Sequence, residues 1–123
     1  MNSKQSLLIV EEDKGFRNFL VQLFHKEYAI KAAENAIKAL QCLHQGNLPQ
    51  LLIIDLSLPD ISGAELVHQI KTNGITRDIP IIVLCKESHE EQGRTIAEYA
   101  QKLIIKPFDP EELKAEVQRV LSF

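Results

Sequence analysis

The sequence predicts an α/β domain in which a five-stranded parallel sheet carries helices on both faces. Five short apolar runs recur along the 123 residues, and segments with apolar residues at helical spacing separate them. Short links between alternating strands and helices favour parallel strands joined by right-handed crossovers. Five strands are too few for an eight-stranded barrel, so we expect an open sheet in a single domain over residues 1–123.

The strands are predicted from the apolar runs. The third run has four apolar residues in succession before Asp55, which is typical of a strand buried on both faces. The second run is less apolar, so we expect it nearer an edge of the sheet. The predicted strands are residues 7–10, 28–33, 51–55, 79–84 and 103–105.

The helices are predicted from apolar spacing and from their end signals. Asp13 suits the N-cap of a helix over residues 14–25, and Gly46 ends a second helix that begins near residue 36. A third helix begins at Ser62 and ends near residue 73. Residues 87–99 predict only a poor helix, because the segment is polar and has few residues to bury. Pro110 suits the first turn of the last helix.

Composition and charge exclude several classes of protein. The net charge is −3 and no cluster of Lys or Arg occurs, which argues against direct nucleic-acid binding. No apolar stretch reaches the length of a membrane span, and the polar N-terminus lacks the profile of a signal peptide. The two cysteines lie far apart in the sequence, so a disulfide framework is not expected. We therefore expect a cytoplasmic protein.

Polar side chains follow the predicted strands. The carboxyl ends of parallel strands meet at one edge of a sheet, where ligands bind, so we expect these side chains to gather there. Two carboxylates about 5 Å apart at an effective dielectric near 20 repel by roughly 3 kcal/mol. A divalent cation, a lysine or protonation of one acid must offset this, and Mg²⁺ suits such a site. The side chains are Glu11 and Glu12 after strand one, Asp55 at the end of strand three, Cys85 after strand four and Lys106 after strand five.

Motifs typical of a small enzyme are missing from the sequence. Glu11-Glu12-Asp13 stands where a glycine-rich phosphate loop would follow the first strand, and Asp55-Leu56-Ser57 lacks the second acid of an Asp-x-Asp metal site. We find no additional catalytic base. A phosphatase or nucleotide-binding protein is therefore disfavoured, and we expect a protein that is not itself an enzyme.

The chain resembles the receiver (REC) domain of the two-component response-regulator family over essentially all of its length. The resemblance implies a flavodoxin-like (βα)₅ fold with strand order 2-1-3-4-5. It also implies a function in phosphorelay signal transduction. The motifs that carry it are residues 7–10 followed by Glu11-Glu12, Asp55 with Pro59 and Gly63 at the family's spacing, residues 79–84, and residues 106–113.

The resemblance implies that Asp55 is the phosphoacceptor. Asp55 would attack the phosphorus of a phosphohistidine on a sensor histidine kinase or phosphotransfer protein, forming an acyl phosphate. Glu11, Glu12 and Asp55 would hold Mg²⁺ together with the backbone carbonyl of Ser57, whose side chain would tune hydrolysis. Glu12 replaces the usual Asp and is one methylene longer, so we expect a displaced or weaker metal site rather than none.

The resemblance also identifies the phosphoryl contacts and two departures from the family. Lys106 corresponds to the lysine that contacts the phosphoryl group, and its bond to Pro107 is expected to be cis. Cys85 replaces a Thr or Ser, and a thiol is a weaker hydrogen-bond donor than a hydroxyl. Leu103 replaces the aromatic residue of the switch. The usual relay of phosphorylation is therefore expected to be weakened or replaced.

Lys86 is a further departure, because the family prefers a very small residue there. We expect Lys86 to act as a gate that pairs with Asp55 or with an incoming phosphate and restricts access to the pocket. The alternative is a solvated lysine. A redox-sensitive thiol at Cys85 is less expected than an inert buried cysteine.

The leading functional hypothesis is a phosphoacceptor signalling domain, and the alternative is a pseudo-receiver that binds partners without regulated phosphorylation. Asp55 and Lys106 favour the first; Glu12, Cys85 and Leu103 favour the second. The surface formed by helix four, strand five and helix five is expected to meet an effector or a second copy of the chain. Gln101-Lys102 replaces an acidic pair of one dimerising subclass, so its inter-subunit ion pairs are not expected.

Overall fold

The computed structural model describes residues 4–46 and 48–122. Strands and helices alternate along this part of the chain, as the sequence predicts. The strands are β1 (Ser6–Val10), β2 (Ala29–Ala33), β3 (Leu51–Asp55), β4 (Ile81–Lys86) and β5 (Lys102–Lys106). The helices are α1 (Lys14–Phe24), α2 (Ala36–His44), α3 (Gly63–Thr72), α4 (Glu90–Ile96) and α5 (Pro110–Leu121).

The five strands form one parallel sheet in the order β2-β1-β3-β4-β5, which confirms the predicted fold class and strand order. β3 lies at the centre, and all five of its residues are buried. β2 lies at an edge and is mostly exposed or half-buried, as its weaker apolar pattern indicates. The central position of β3 places Asp55 in the middle of the carboxyl edge.

Two hydrophobic layers cover the sheet. Because successive side chains of a strand point to opposite faces, each strand supplies both layers. One layer packs under α1 and α5, where Leu20, Phe24, Leu113 and Val117 are buried. The other packs under α2 and α3, with residues of α4 at its border. Helices therefore cover both faces, as predicted.

The residues that favour helix ends lie at the helix ends, as the sequence predicts. The Asp13 side chain accepts from the backbone N–H of Phe16 at 2.7 Å, and Pro110 lies in the first turn of α5. Gly46 follows α2 with a φ of 91°, a left-handed conformation that favours glycine. The Asp13 cap satisfies one of the backbone donors that the first turn of α1 leaves unpaired.

β4 begins and ends two residues later than predicted. Pro80 has no N–H to donate to the sheet, although its carbonyl accepts from Leu52 N–H at 3.0 Å. Ile79 belongs to a turn in which its N–H donates to the carbonyl of Thr76. The strand instead extends through Cys85 and Lys86, which are in register with Ile105 and Lys106. This extension carries Lys86 to the carboxyl edge.

The poorly patterned segment between β4 and β5 forms only a short helix. Single 3₁₀ turns at Glu87–His89 and Ala97–Tyr99 flank α4, which has seven residues. Few apolar residues are available to hold a longer helix against the sheet, which agrees with the sequence expectation. Among residues 4–46 and 48–122, no helix is long and apolar enough to cross a membrane.

Candidate functional site

The carboxyl ends of the strands surround a cavity of about 530 Å³. Most of the predicted site residues meet there, because β1, β3, β4 and β5 all end at this edge. Asp55 lies at its centre as the last residue of β3. The residues that line the cavity are Glu11, Glu12, Asp13, Lys14, Phe16, Asp55, Ser57, Lys86 and Lys106.

Lys106 joins the two buried carboxylates. Its Nζ forms an ion pair with Oδ2 of Asp55 and donates to Oε1 of Glu11 at 3.1 Å. The ammonium also lies 4.2 Å from the centre of the Phe16 ring, in a cation–π contact. Burial lowers the pKa of Lys106, but the hydrogen bond and charge of Asp55 and then those of Glu11 outweigh it, so the pKa is raised. Lys106 therefore stays protonated and offsets much of the negative charge.

Glu11 is only 3% exposed at the end of β1. The backbone N–H of Asp13 donates to its Oε2 at 3.1 Å. Burial, followed by the hydrogen bond and charge of Asp55, raises the pKa of Glu11 to about 7. A lysine therefore lies between the two acids, and the raised pKa of Glu11 favours its protonated form up to near neutral pH. Both effects are among the three offsets expected from the sequence.

Both carboxylate oxygens of Asp55 have partners. Oδ2 contacts Lys106, and Oδ1 accepts from the backbone N–H of Ser57 at 2.7 Å. The side chain is 2% exposed, so these contacts fix its direction. The Asp55 carboxylate is thereby held in one orientation at the base of the cavity.

Gly63 allows the chain after Asp55 to turn tightly. A Cβ at this position would lie 2.6 Å from the carbonyl oxygen of Asp55 and 2.5 Å from Cα of Leu56. The N–H of Gly63 also donates to the carbonyl of Leu56 at 3.0 Å. The spacing between Asp55 and Gly63 noted in the sequence therefore reflects a direct backbone contact.

Ser57 links the site to the segment that precedes α4. A hydrogen bond of 3.2 Å joins its Oγ to Nδ1 of His89, in the 3₁₀ turn Glu87–His89. His89 is not among the site residues predicted from the sequence. No spacing signal could reveal it, because the contact depends on how two loops approach each other.

The donor set suits a Mg²⁺ ion. The Glu11 and Asp55 carboxylates both contact Lys106, and Glu12 and Ser57 line the same cavity, so oxygen ligands are available beside each other there. Within residues 4–46 and 48–122, no group of three or more Asp, Glu, His or Cys side chains is arranged as a metal cage. Mg²⁺ does not need one, since it usually keeps several waters and takes one or two carboxylates. Glu12 is exposed and lines the cavity.

Cys85 and Leu103 do not line the cavity. Cys85 is fully buried, and its Sγ lies against α4, where a Cβ added at Gly93 would be 2.9 Å away. The same Cβ would lie 3.0 Å from Cδ1 of Leu103. Burial and the charges of Asp55 and Glu90 raise the pKa of the Cys85 thiol. These observations favour an inert thiol packed between β4 and α4.

Lys86 and the Lys106–Pro107 bond are the last of the site features predicted from the sequence. Lys86 is exposed and lines the cavity, and it forms no ion pair with any residue that the structure describes. The expected pairing with Asp55 is therefore not seen. The Lys106–Pro107 peptide bond is cis.

Comparisons with known proteins agree with this geometry. The family model described as response regulator receiver domain matches residues 7–118. The chain is 36% identical to Histidine kinase P4 of Formosa agariphila over 97% of its own length and 9% of that protein. It is 35% identical to the phosphate regulon transcriptional regulatory protein PhoB of Pseudomonas aeruginosa, over 95% of this chain and 52% of that protein. The chain thus spans a small part of the first and about half of the second.

Solved structures show the same fold. A putative response regulator from Chloroflexus aurantiacus superposes with a TM-score of 0.90 at 29% identity, covering 98% of this chain and all of that one. The response regulator TrrA of Thermotoga maritima, solved in complex with Mg²⁺ and BeF, has a TM-score of 0.82 at 29% identity and covers 95% and 99% of the two chains. By its sequence, its strand order and the side chains at its carboxyl edge, the chain belongs to the response regulator receiver domain family of two-component signalling.

Proposed function

We propose that this receiver domain accepts a phosphoryl group on Asp55 from a phosphohistidine of a sensor histidine kinase or phosphotransfer protein. One observation carries the proposal: Asp55 is buried at the base of a cavity, with one oxygen fixed by a backbone N–H and the other by Lys106. An oriented carboxylate beside a fixed cation is suited to phosphoryl transfer, which depends on position and charge.

The reaction is a displacement at phosphorus. A carboxylate oxygen of Asp55 forms the new P–O bond as the P–N bond to the imidazole breaks, and the imidazole nitrogen keeps the electron pair and takes up a proton. Lys106 neutralises charge on the phosphoryl oxygens. Glu11, Glu12, Asp55 and the backbone carbonyl of Ser57 would hold Mg²⁺, which supplies further charge neutralisation when bound.

The partners of the domain follow from the same site. A histidine-containing donor must reach the cavity, and we propose that the surface of α4, β5 and α5 then meets an effector or a second copy of the chain. Tyr99 beside this surface is 51% exposed, and Lys102 on β5 is exposed too. Cys42 and Cys85 are both free, which supports the cytoplasmic location proposed for the domain.

Intact-mass spectrometry after incubation with Mg²⁺ and phosphoramidate tests the phosphoacceptor. We expect one added phosphoryl group on the wild type and none on Asp55→Asn. Thermal unfolding of the variant shows whether it is folded. An adduct on folded Asp55→Asn would refute the assignment of Asp55. A wild type that takes no phosphoryl group from phosphoramidate or from a phosphorylated kinase would favour the pseudo-receiver alternative.

A further inference from the structure

The sheet register decides which side chains can reach a phosphoryl group on Asp55. Asp55 is in register with Leu84, and Lys86 is in register with Lys106. Side chains alternate between faces along a strand, so Lys86, two residues after Leu84, shares the face of Asp55 and Lys106. Cys85, between Leu84 and Lys86, belongs to the opposite face.

The packing of Cys85 agrees with this assignment. It is fully buried in the hydrophobic layer on the α4 side, with Sγ against Gly93 and close to Leu103. To contact a group on Asp55, the thiol would have to leave this packing. Even then it would offer only a weak donor.

The charges at the cavity leave a role for a second lysine side chain. Lys106 already contacts both Glu11 and Asp55, and a phosphoryl group would bring additional negative charge into the same cavity. Lys86 lines that cavity, is exposed, and forms no ion pair among the described residues. Its flexible stem and three donors allow it to approach from the open side.

We propose that Lys86 contacts the phosphoryl group on Asp55 as a second lysine beside Lys106, in the place that the side chain of Cys85 does not fill. The inference rests on the proposed function of Asp55. It also changes the role expected for Lys86 from the sequence. Lys86 holds the bound phosphoryl group and does not block Asp55 before phosphorylation.

Binding of beryllium fluoride with Mg²⁺, a stable mimic of the phosphoryl group, tests this by calorimetry. We expect Lys86→Ala to weaken the affinity by about tenfold, since a charge-assisted hydrogen bond is lost. Lys86→Arg keeps a cation and should restore most of the affinity. Lys102→Ala is the matched control, because it removes an exposed lysine at the far end of β5. The loss should shrink at high salt, where exposed charges are screened.

Phosphoramidate labelling of the same variants supplies the second measurement. An affinity and labelling rate of Lys86→Ala equal to those of the wild type would overturn the inference in favour of a solvated lysine. Faster labelling with unchanged or tighter affinity would overturn it in favour of a gate. A loss of affinity in Cys85→Ala as large as that in Lys86→Ala would also contradict it. If the wild type takes neither beryllium fluoride nor a phosphoryl group, the proposed function fails first, and this inference fails with it.

Discussion

Glu11 and Asp55 are the buried carboxylates among the residues that the structure describes. They differ in what surrounds them. Asp55 receives a backbone N–H and contacts Lys106, whereas Glu11 is next to the charge of Asp55 in a largely desolvated position. The pKa of Glu11 therefore rises from its usual value of 4.5 to about 7.

This shift makes the stability of the metal-free protein depend on pH. Between pH 4.5 and about 7 the folded state keeps the proton on Glu11 and the unfolded state loses it. The folded state then binds more protons, so the free energy of unfolding falls as the pH rises through this window, by about 2–3 kcal/mol. Glu11→Gln cannot titrate and should lose this contribution. Urea unfolding in the presence of a chelator, at several pH values, measures it.

The difference in stability between the two proteins isolates Glu11, because every other ionisable residue is common to both. Wild-type stability relative to Glu11→Gln should decline steadily from pH 4.5 to 7. Curves that run parallel across this range would show that Glu11 has an ordinary pKa.

At the scale of single elements, the loop from β3 to α3 depends on a glycine. Because a Cβ at Gly63 would meet the backbone of Asp55 and Leu56, Gly63→Ala must displace either α3 or the end of β3. We expect a loss of about 3 kcal/mol in the free energy of unfolding, at the upper end for overpacking. Chemical denaturation measures the loss.

Gly74→Ala is the control for this prediction. It lies in the link after α3, and no heavy atom comes within 4 Å of an added Cβ. Its stability should stay within about 0.5 kcal/mol of the wild type. Similar losses of stability in both variants would show that replacing a glycine is itself destabilising here. The contact with Asp55 would then not explain the loss in Gly63→Ala.

The elements also show how far the sequence could predict the fold. Apolar runs and caps predicted all the strands and helices listed above, because both depend on local patterns. The ends of β4 were wrong by two residues, since pairing with β5 outweighs the apolar run that starts at Ile79. The site residues at the ends of β1, β3 and β5 could be grouped because parallel topology alone brings strand ends together.

Other features of the site could not be predicted from the sequence. The burial of Glu11 and the contact between Ser57 and His89 depend on loop conformations that no periodic pattern records. The orientation of Cys85 away from the cavity follows from register, which becomes clear only when β4 is aligned with β3 and β5. Parallel topology therefore predicts which residues meet at the strand ends, whereas the loops and the side-chain directions around them cannot be predicted from it.

At the scale of the whole molecule, the cavity residues and the pair Cys85 and Leu103 lie on opposite faces of the sheet. Glu11, Asp55 and Lys106 lie on the α1 and α5 side, in register with the residues of that layer. Cys85 and Leu103 pack on the α4 side. The hydrogen bond from Ser57 to His89 crosses between them, because Ser57 contacts Asp55 and His89 precedes α4.

This arrangement predicts that His89 transmits phosphorylation to α4. A phosphoryl mimic on Asp55 crowds the backbone N–H of Ser57 and should shift the turn that carries His89. Hydrogen exchange with Mg²⁺ and beryllium fluoride should then change at residues 86–96 in the wild type, with little change in α2. In His89→Ala the mimic should still bind, but the change in exchange at α4 should be largely lost.

His68→Ala is the matched control, because His68 is an exposed histidine on α3. Its exchange response at α4 should equal that of the wild type. Ser57→Ala combined with His89→Ala should lose no more of the response than either variant alone, since both remove the same contact. A full response in His89→Ala would show that the signal reaches α4 by another route. The packing of Gly93 and Ile96 against the sheet is such a route.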